Sequence, residues 1–253
     1  MSAIESEQRA SILVLRVANE PKRNAFSHAM TAQLGEYLRR AEDDRAVRCV
    51  VITGAGNVAF SSGHDLREML ADREHASDPA LNDPFLFPAR MATPTIAAIN
   101  GFAYAAGFIL ALNCDFRVCS ENASFAAPGA RIGLLPIGGQ LSRLPQLMPH
   151  AVAHELLATC REMRADEAYR FGFVSSVAPV GGSLDAALKL ADQIVANSSD
   201  VIASIKQGFA VLAQEGSAAT AEYEWREGRR LQGGPHAEEG MKAFLEKRKP
   251  VFA

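Results

Sequence analysis

Residues 51–66, V-I-T-G-A-G-N-V-A-F-S-S-G-H-D-L, hold two glycine-bearing signals that point to different chemistries. The first is Gly54, Gly56 and Ala59, which matches the G-x-G-x-x-G/A pattern whose glycines let a dinucleotide pyrophosphate approach the backbone after a strand. That chemistry needs a helix opening inside the motif and an acid about twenty residues on. Residues 57–62 read instead as loop or extended chain, and no strand precedes Asp72 or Glu74. A nucleotide-dependent oxidoreductase is therefore the weaker reading. The second signal begins at Phe60: small residues, then Gly63, then His64, Asp65 and Leu66 opening a helix. Gly63 permits a tight turn that aims the next backbone N–H into a pocket. The run Ala103-Tyr104-Ala105-Ala106-Gly107, ahead of a helix over 108–113, offers a second turn of this kind. Donors at a helix start carry partial positive charge, and two converging on one oxygen form an oxyanion hole.

Such turns need a scaffold. The 253 residues are 48% hydrophobic and 22% charged, enough to bury a sizeable core as one or two domains. A net charge of −3 lacks the basic excess expected for a nucleic-acid or anionic-membrane partner, so neither is expected. Cys49, Cys114, Cys119 and Cys160 show no CxxC or CxxCH spacing and read as reduced, buried thiols. No charged-then-apolar leader opens the sequence, and its longest apolar runs, such as 102–112, are too short for a bilayer. A cytoplasmic protein is expected.

Short β-branched runs at 11–17, 47–53, 95–100, 116–120 and 174–180 alternate with amphipathic segments, which predicts an α/β core. Ser27 reads as the N-cap of a first helix, with Met30, Leu34, Tyr37, Leu38 and Ala41 at helical spacing. A second helix is expected from about Ala105, and others over 138–148, 151–159, 184–196 and 201–215. Beyond Asp200 strand signals stop, and 222–230 and 238–249 are charged and helical. Residues 1–199 thus read as the core and 200–253 as a helical region packed on that core or on a neighbour.

Five blocks in order carry a resemblance: N-E-P-K-R-N-A-F (19–26), F-S-S-G-H-D-L (60–66), P-T-I-A-A-I-N-G-F-A-Y-A-A-G (94–107), C-D (114–115) and G-M-K-A-F-L-E-K-R-K-P-V-F (240–252). From about Ser11 to the C-terminus the chain resembles the crotonase superfamily, also called the enoyl-CoA hydratase/isomerase family. The resemblance implies an α/β crotonase (ClpP-like) spiral of ββα units with a C-terminal helical, trimerisation region. It implies homotrimers or dimers of trimers, an acyl-CoA thioester as partner, and no metal or cofactor beyond the coenzyme A that the substrate carries. Position by position, the backbone N–H groups of His64 and Ala106 would polarise the thioester carbonyl and stabilise an enolate. The substrate-binding set around them would be Lys22, Arg23 and Ala25, then Ser61, Gly63, Asp65 and Leu66, then Tyr104 and Gly107, then Pro128 and Arg131. Lys22 and Arg23 would follow the CoA phosphates and adenine, and Lys247 would reach a neighbouring subunit's CoA. For Lys242, Lys247 and Arg248 a solvated basic face is the competing reading.

Family hydratases activate water and protonate the α-carbon with two glutamates. The first belongs three residues past the second donor, where this chain has Ile109; the second follows the proline of F-x-x-P, where Pro128 is followed by Gly129. A positioned acid or base contributes about 10²–10⁴ in rate, so a site lacking both should polarise a thioester and hydrate it poorly. Three functions stay open: a hydratase- or isomerase-like enzyme using substitute groups, a non-catalytic acyl-CoA-binding or regulatory protein, and a decarboxylase of malonyl-type CoA esters. Decarboxylases of the family share the G-H-D but place a tyrosine after F-x-x-P, and Leu134-Leu135-Pro136-Ile137 has none. The His64 imidazole either substitutes for a glutamate or turns into the scaffold. Arg131 either meets a substrate carboxylate or pairs with an acid or solvent. His150 and His154 stand one helical turn apart without a third metal ligand, and Ser62, His64 and Asp65 are too close in sequence to form a triad. Asp115 is expected to tie a helix end to the core.

Overall fold

The computed structural model describes residues 2–72 and 78–252; Glu74 falls outside them. A hairpin of β1 (Ala3–Arg9) and β2 (Ile12–Ala18) opens the chain. The helix α1 (His28–Asp43) follows, and the Ser27 hydroxyl accepts from Met30 N–H as its N-cap. Three successive turns of chain then each contribute one strand to each of two sheets. They are β3 (Cys49–Gly54) with β4 (Ala59–Ser61), β5 (Thr95–Ile99) with β6 (Phe102–Tyr104), and β7 (Phe116–Ser120) with β8 (Ser124–Ala126). Between them run α2 (Leu66–Ala71), α3 (Pro79–Leu86) and α4 (Ala106–Asn113). After β8 come α5 (Leu144–Leu147), α6 (His150–Thr159), β9 (Met163–Arg164), α7 (Ala165–Arg170), β10 (Ser176–Ala178) and α8 (Ser183–Val195). The larger sheet has the order β1-β2-β3-β5-β7-β10, parallel beyond the first pair; the smaller has the order β4-β6-β8-β9.

The parallel strands read as unbroken apolar runs because both faces are covered. Val50, Ile52, Ala97 and Ile99 join the core that holds Leu34 and Leu38 of α1, while Cys49, Val51, Ile96 and Ala98 pack on Ala187, Ala191 and Ile194 of α8. All four cysteines are free and buried. Burial pushes the thiols of Cys49, Cys114 and Cys119 up to about 12, so they stay protonated and weakly nucleophilic at neutral pH.

From Ser199 onward every element is a helix: α9 (Ser199–Glu215), α10 (Ser217–Gln232) and α11 (Pro235–Leu245). A partly buried tether holds α9 to the spiral. Lys206 Nζ donates to Pro88 O and Thr93 O and to Asp115 Oδ2, and that carboxylate also accepts from the Thr95 N–H and hydroxyl. Asp115 therefore ties the start of β5 to the C-terminal region. Among the described residues no helix is long and apolar enough to cross a membrane.

One expectation changes and another holds. The helix expected over 138–148 shrinks to the single turn α5, because Gly138 and Gly139 take φ of +70° and +94° and bend the chain before it. The first glycine signal opens no helix: Gly54 ends β3, Gly56 turns at φ +70°, and the chain continues into β4. That removes the geometry a dinucleotide motif requires.

Candidate functional site

Gly63 is the residue that brings the two sequence turns together. Its φ is +105°, and a Cβ there would stand 2.8 Å from Ala105 Cβ and 3.3 Å from the Ala106 amide nitrogen. Only glycine allows backbone from the β4 turn to come this close to the start of α4. The direction of the His64 amide follows from a short parallel bridge to Phe26. Phe26 N–H donates to Gly63 O and Asp65 N–H to Phe26 O, both at 2.8 Å, so alternation turns the His64 N–H the other way. On the second turn Ala105 holds φ 48°, ψ −119°, a conformation costly for any residue with a Cβ. A bond from its N–H to Ala126 O at 3.1 Å helps hold it, and its turn sets the Ala106 N–H at the head of α4, whose eight residues are all buried.

Side chains lock this pair of turns. Ser61 Oγ accepts from Gly63 N–H at 3.1 Å, and Gly107 lets Ser61 approach, since a Cβ there would lie 2.6 Å from Ser61 O. Asn24 and Asn100 both donate to Ala59 O, and Gly54 N–H donates to Asn100 Oδ1, which pins β4 to the turn before it. Nothing in the spacing of Asn24 or Asn100 singled them out.

His64 and Ala106 both line a cavity of about 750 Å³. Of the residues expected to bind substrate, Lys22, Ala25, Asp65, Leu66 and Pro128 line it as well, as do Ile109 and Gly129. Lys22 Nζ donates to Asp65 Oδ2 at 2.5 Å, and Asp65 also caps α2 by accepting from Arg67 N–H. The Lys22 ammonium, helped by that N–H, holds the Asp65 carboxyl below its ordinary range. Among the described lining residues Asp65 is the one acid, and it is thus engaged at the side of Lys22 and Arg67. Much of the remaining wall is aliphatic, from Ile109, Ile132, Leu134, Leu135, Pro136 and Ile137, with Gln140 as a polar member beside them.

Other expected contacts stand outside this lining. Ser61, Gly63 and Gly107 shape the turns from behind it. Tyr104 directs its hydroxyl to Ser124 Oγ, 2.9 Å away. Arg23 adopts φ +56° and offers its carbonyl to Ser62 N–H. Arg131 is exposed on the short 3-10 turn Pro128–Ile132 and does not line the cavity. Lys247 is exposed beyond α11.

The His64 ring is turned to the protein. Nε2 lies 3.0 Å from Asn82 Oδ1, Nδ1 has no solvent contact, and the ring stands edge-on to Phe85 at 5.1 Å. Asn82 donates its own Nδ2 to Asp78 O, which leaves Oδ1 to accept and places the proton on His64 Nε2. The two glutamate positions differ in kind. Ile109 fills its place on α4 with an aliphatic side chain. Gly129 faces the carbonyl of Leu134, which a Cβ would approach to 2.7 Å, and its own carbonyl accepts from Leu134 N–H at 2.9 Å. The loop 129–134 is closed on itself at that point.

The two-sheet spiral of ββα turns with its helical C-terminal region is the crotonase architecture. The model of the enoyl-CoA hydratase/isomerase family matches residues 7–253, and the chain belongs to that family. It is 38% identical to a carnitinyl-CoA dehydratase of Citrobacter koseri over 252 residues, covering 92% of each protein. An enoyl-CoA hydratase structure from Polaromonas sp. JS666 has a TM-score of 0.93 at 33% identity, covering 99% of this chain and 100% of its own. An enoyl-CoA hydratase structure from Bacillus anthracis has a TM-score of 0.94 at 28% identity, covering 98% of each.

Proposed function

We infer that this chain is an acyl-CoA enzyme that holds the thioester carbonyl between the backbone N–H groups of His64 and Ala106 and stabilises the enolate formed there. The observation that carries this reading is the approach of Gly63 to Ala105 and Ala106 beside a cavity that His64 and Ala106 both line. A donor placed where charge develops accelerates such chemistry by about 10²–10³. Coenzyme A enters as part of the substrate, with Lys22 and Arg23 beside its phosphates, and no separate cofactor takes part. The exposed apolar face of α9, Ile205, Phe209 and Leu212, suits contact with further copies in a trimer or dimer of trimers, from which Lys247 would reach a neighbour's CoA. The four buried thiols fit a reducing, cytoplasmic compartment.

The relatives named dehydratase and hydratase make addition or loss of water across the acyl chain the first reaction to test. A second reading has its own support: the described wall near Ile109 and Gly129 carries no carboxylate. Loss of CO₂ from a malonyl-type thioester leaves the bonding electron pair on the α-carbon and yields the enolate without a protein base, after which water supplies the proton.

Steady-state assays with crotonyl-CoA and with methylmalonyl-CoA, beside calorimetry with butyryl-CoA and free CoA, test these readings. Turnover of the first supports hydration and of the second decarboxylation. Binding without turnover of any thioester makes the chain an acyl-CoA-binding protein, and failure of both acyl-CoA and CoA to bind removes the CoA reading altogether.

A further inference from the structure

Gln140 follows the two bent glycines, and its turn is fixed against α4 at the level of Ile109. A Cβ on Gly138 would stand 2.6 Å from Ile109 Cγ2, and Asn113 Nδ2 donates to both Ile109 O and Gly138 O at 2.9 Å. Gln140 is 3% exposed and forms part of the cavity wall. Its Nε2 donates to Ile137 O at 2.9 Å, which sets the orientation of the amide. Its Oε1 is buried and accepts from no described residue. An acceptor left unmet in the interior is costly, and here the neighbouring Ile109, Pro136 and Ile137 offer no side-chain donor. A donor carried into the cavity by its ligand would satisfy it.

With the carbonyl oxygen at His64 and Ala106, as the proposed function has it, the position of that donor on the substrate follows. Ile109 lies three residues along α4 from Ala106, about 4.5 Å of helical rise, so the wall it shares with Gln140 stands beside the second and third carbons of the acyl group. We propose that Gln140 Oε1 accepts a hydrogen bond from a hydroxyl on the third carbon of a 3-hydroxyacyl thioester, making Gln140 a specificity-determining residue of this site. A neutral amide does not titrate in this role. It orients the O–H without removing its proton.

Calorimetry of the full chain with 3-hydroxybutyryl-CoA and with butyryl-CoA tests the assignment, first on the unaltered protein and then on Gln140→Met, which keeps the side chain's size without the acceptor. The unaltered protein should bind the hydroxylated thioester about tenfold or more tightly. Gln140→Met should bring the two affinities within about twofold through weaker binding of the hydroxylated one. Equal affinities in the unaltered protein, a preference that survives the substitution, or equal weakening of both ligands overturns the proposal. If neither thioester binds the unaltered protein, the reading of the cavity as a thioester site fails, and this assignment fails with it.

Discussion

The two walls of the cavity are built from different parts of the peptide. On one, the turns at Gly63 and Ala105 present main-chain N–H groups, held by Ser61, Asn24 and Asn100. On the other, the side chains of Ile109, Ile132, Leu134 and Ile137 make an aliphatic face. Carbonyl recognition that rests on backbone geometry survives any side-chain change that leaves the turns intact. Proton transfer rests on side chains and disappears with a single substitution. The family's fold and the close pair of turns therefore persist here while the described wall opposite them carries no free carboxylate.

The sharpest break of this contrast strikes the backbone wall. Gly63→Ala forces a Cβ against Ala105 and strains a φ of +105°, which drives the two turns apart. Turnover of a thioester substrate, read as kcat/KM, should fall by about 10² or more, with stability lower by about 1–3 kcal/mol in urea titration. On the opposite wall the expected effect runs upward. Ile109→Glu puts a carboxylate of similar length on α4 and should raise crotonyl-CoA hydration by about 10². Gly129→Glu should give no such gain, because its Cβ meets Leu134 O and opens the loop instead. Equal gains from both substitutions would show that the two positions do not differ as described.

Those two positions also show how far the residues themselves could be read. The alternation of apolar runs with amphipathic helices was legible, because parallel strands covered on both faces leave a strong signal. Strands of three residues, β4, β6 and β8, were not, being too short for any period to register. Gly63 announced its turn because glycine is the usual residue at positive φ. The turn at Ala105 showed in its run of small residues, but its φ of 48° did not, since alanine is held there by tertiary contacts that lie outside local sequence. That Ile109 and Gly129 stand in place of acids was readable from motif position. That position 129 is closed by a carbonyl five residues on, and that Gln140 brings an unmet acceptor to the level of Ile109, depended on how the 129–140 loop folds back on α4.

Smaller effects sharpen the same contrast. Ala105→Gly should stabilise the fold by about 1 kcal/mol by relieving φ strain, read as a higher midpoint in chemical denaturation. At the cavity's charged edge, Asp65 titrates below its ordinary value of 3.8 because Lys22 and the Arg67 N–H favour its charged form. Its contribution is complete above that ordinary value and is lost as pH falls through the lower, folded one. Asp65→Asn keeps a capping side chain and removes the charge, and because Lys22 is half exposed the loss should stay under about 1 kcal/mol at neutral pH. The gap between variant and unaltered protein should close as the pH drops below about 4.

The claim that the backbone wall polarises a thioester can be read from the carbonyl itself. Isotope-edited infrared difference spectra of butyryl-CoA labelled with ¹³C at the thioester carbon should show the C=O stretch moving to lower frequency on binding, with the shift largely lost in Gly63→Ala. An unchanged stretch in the bound complex of the unaltered protein would contradict the assignment of His64 and Ala106 as the polarising pair.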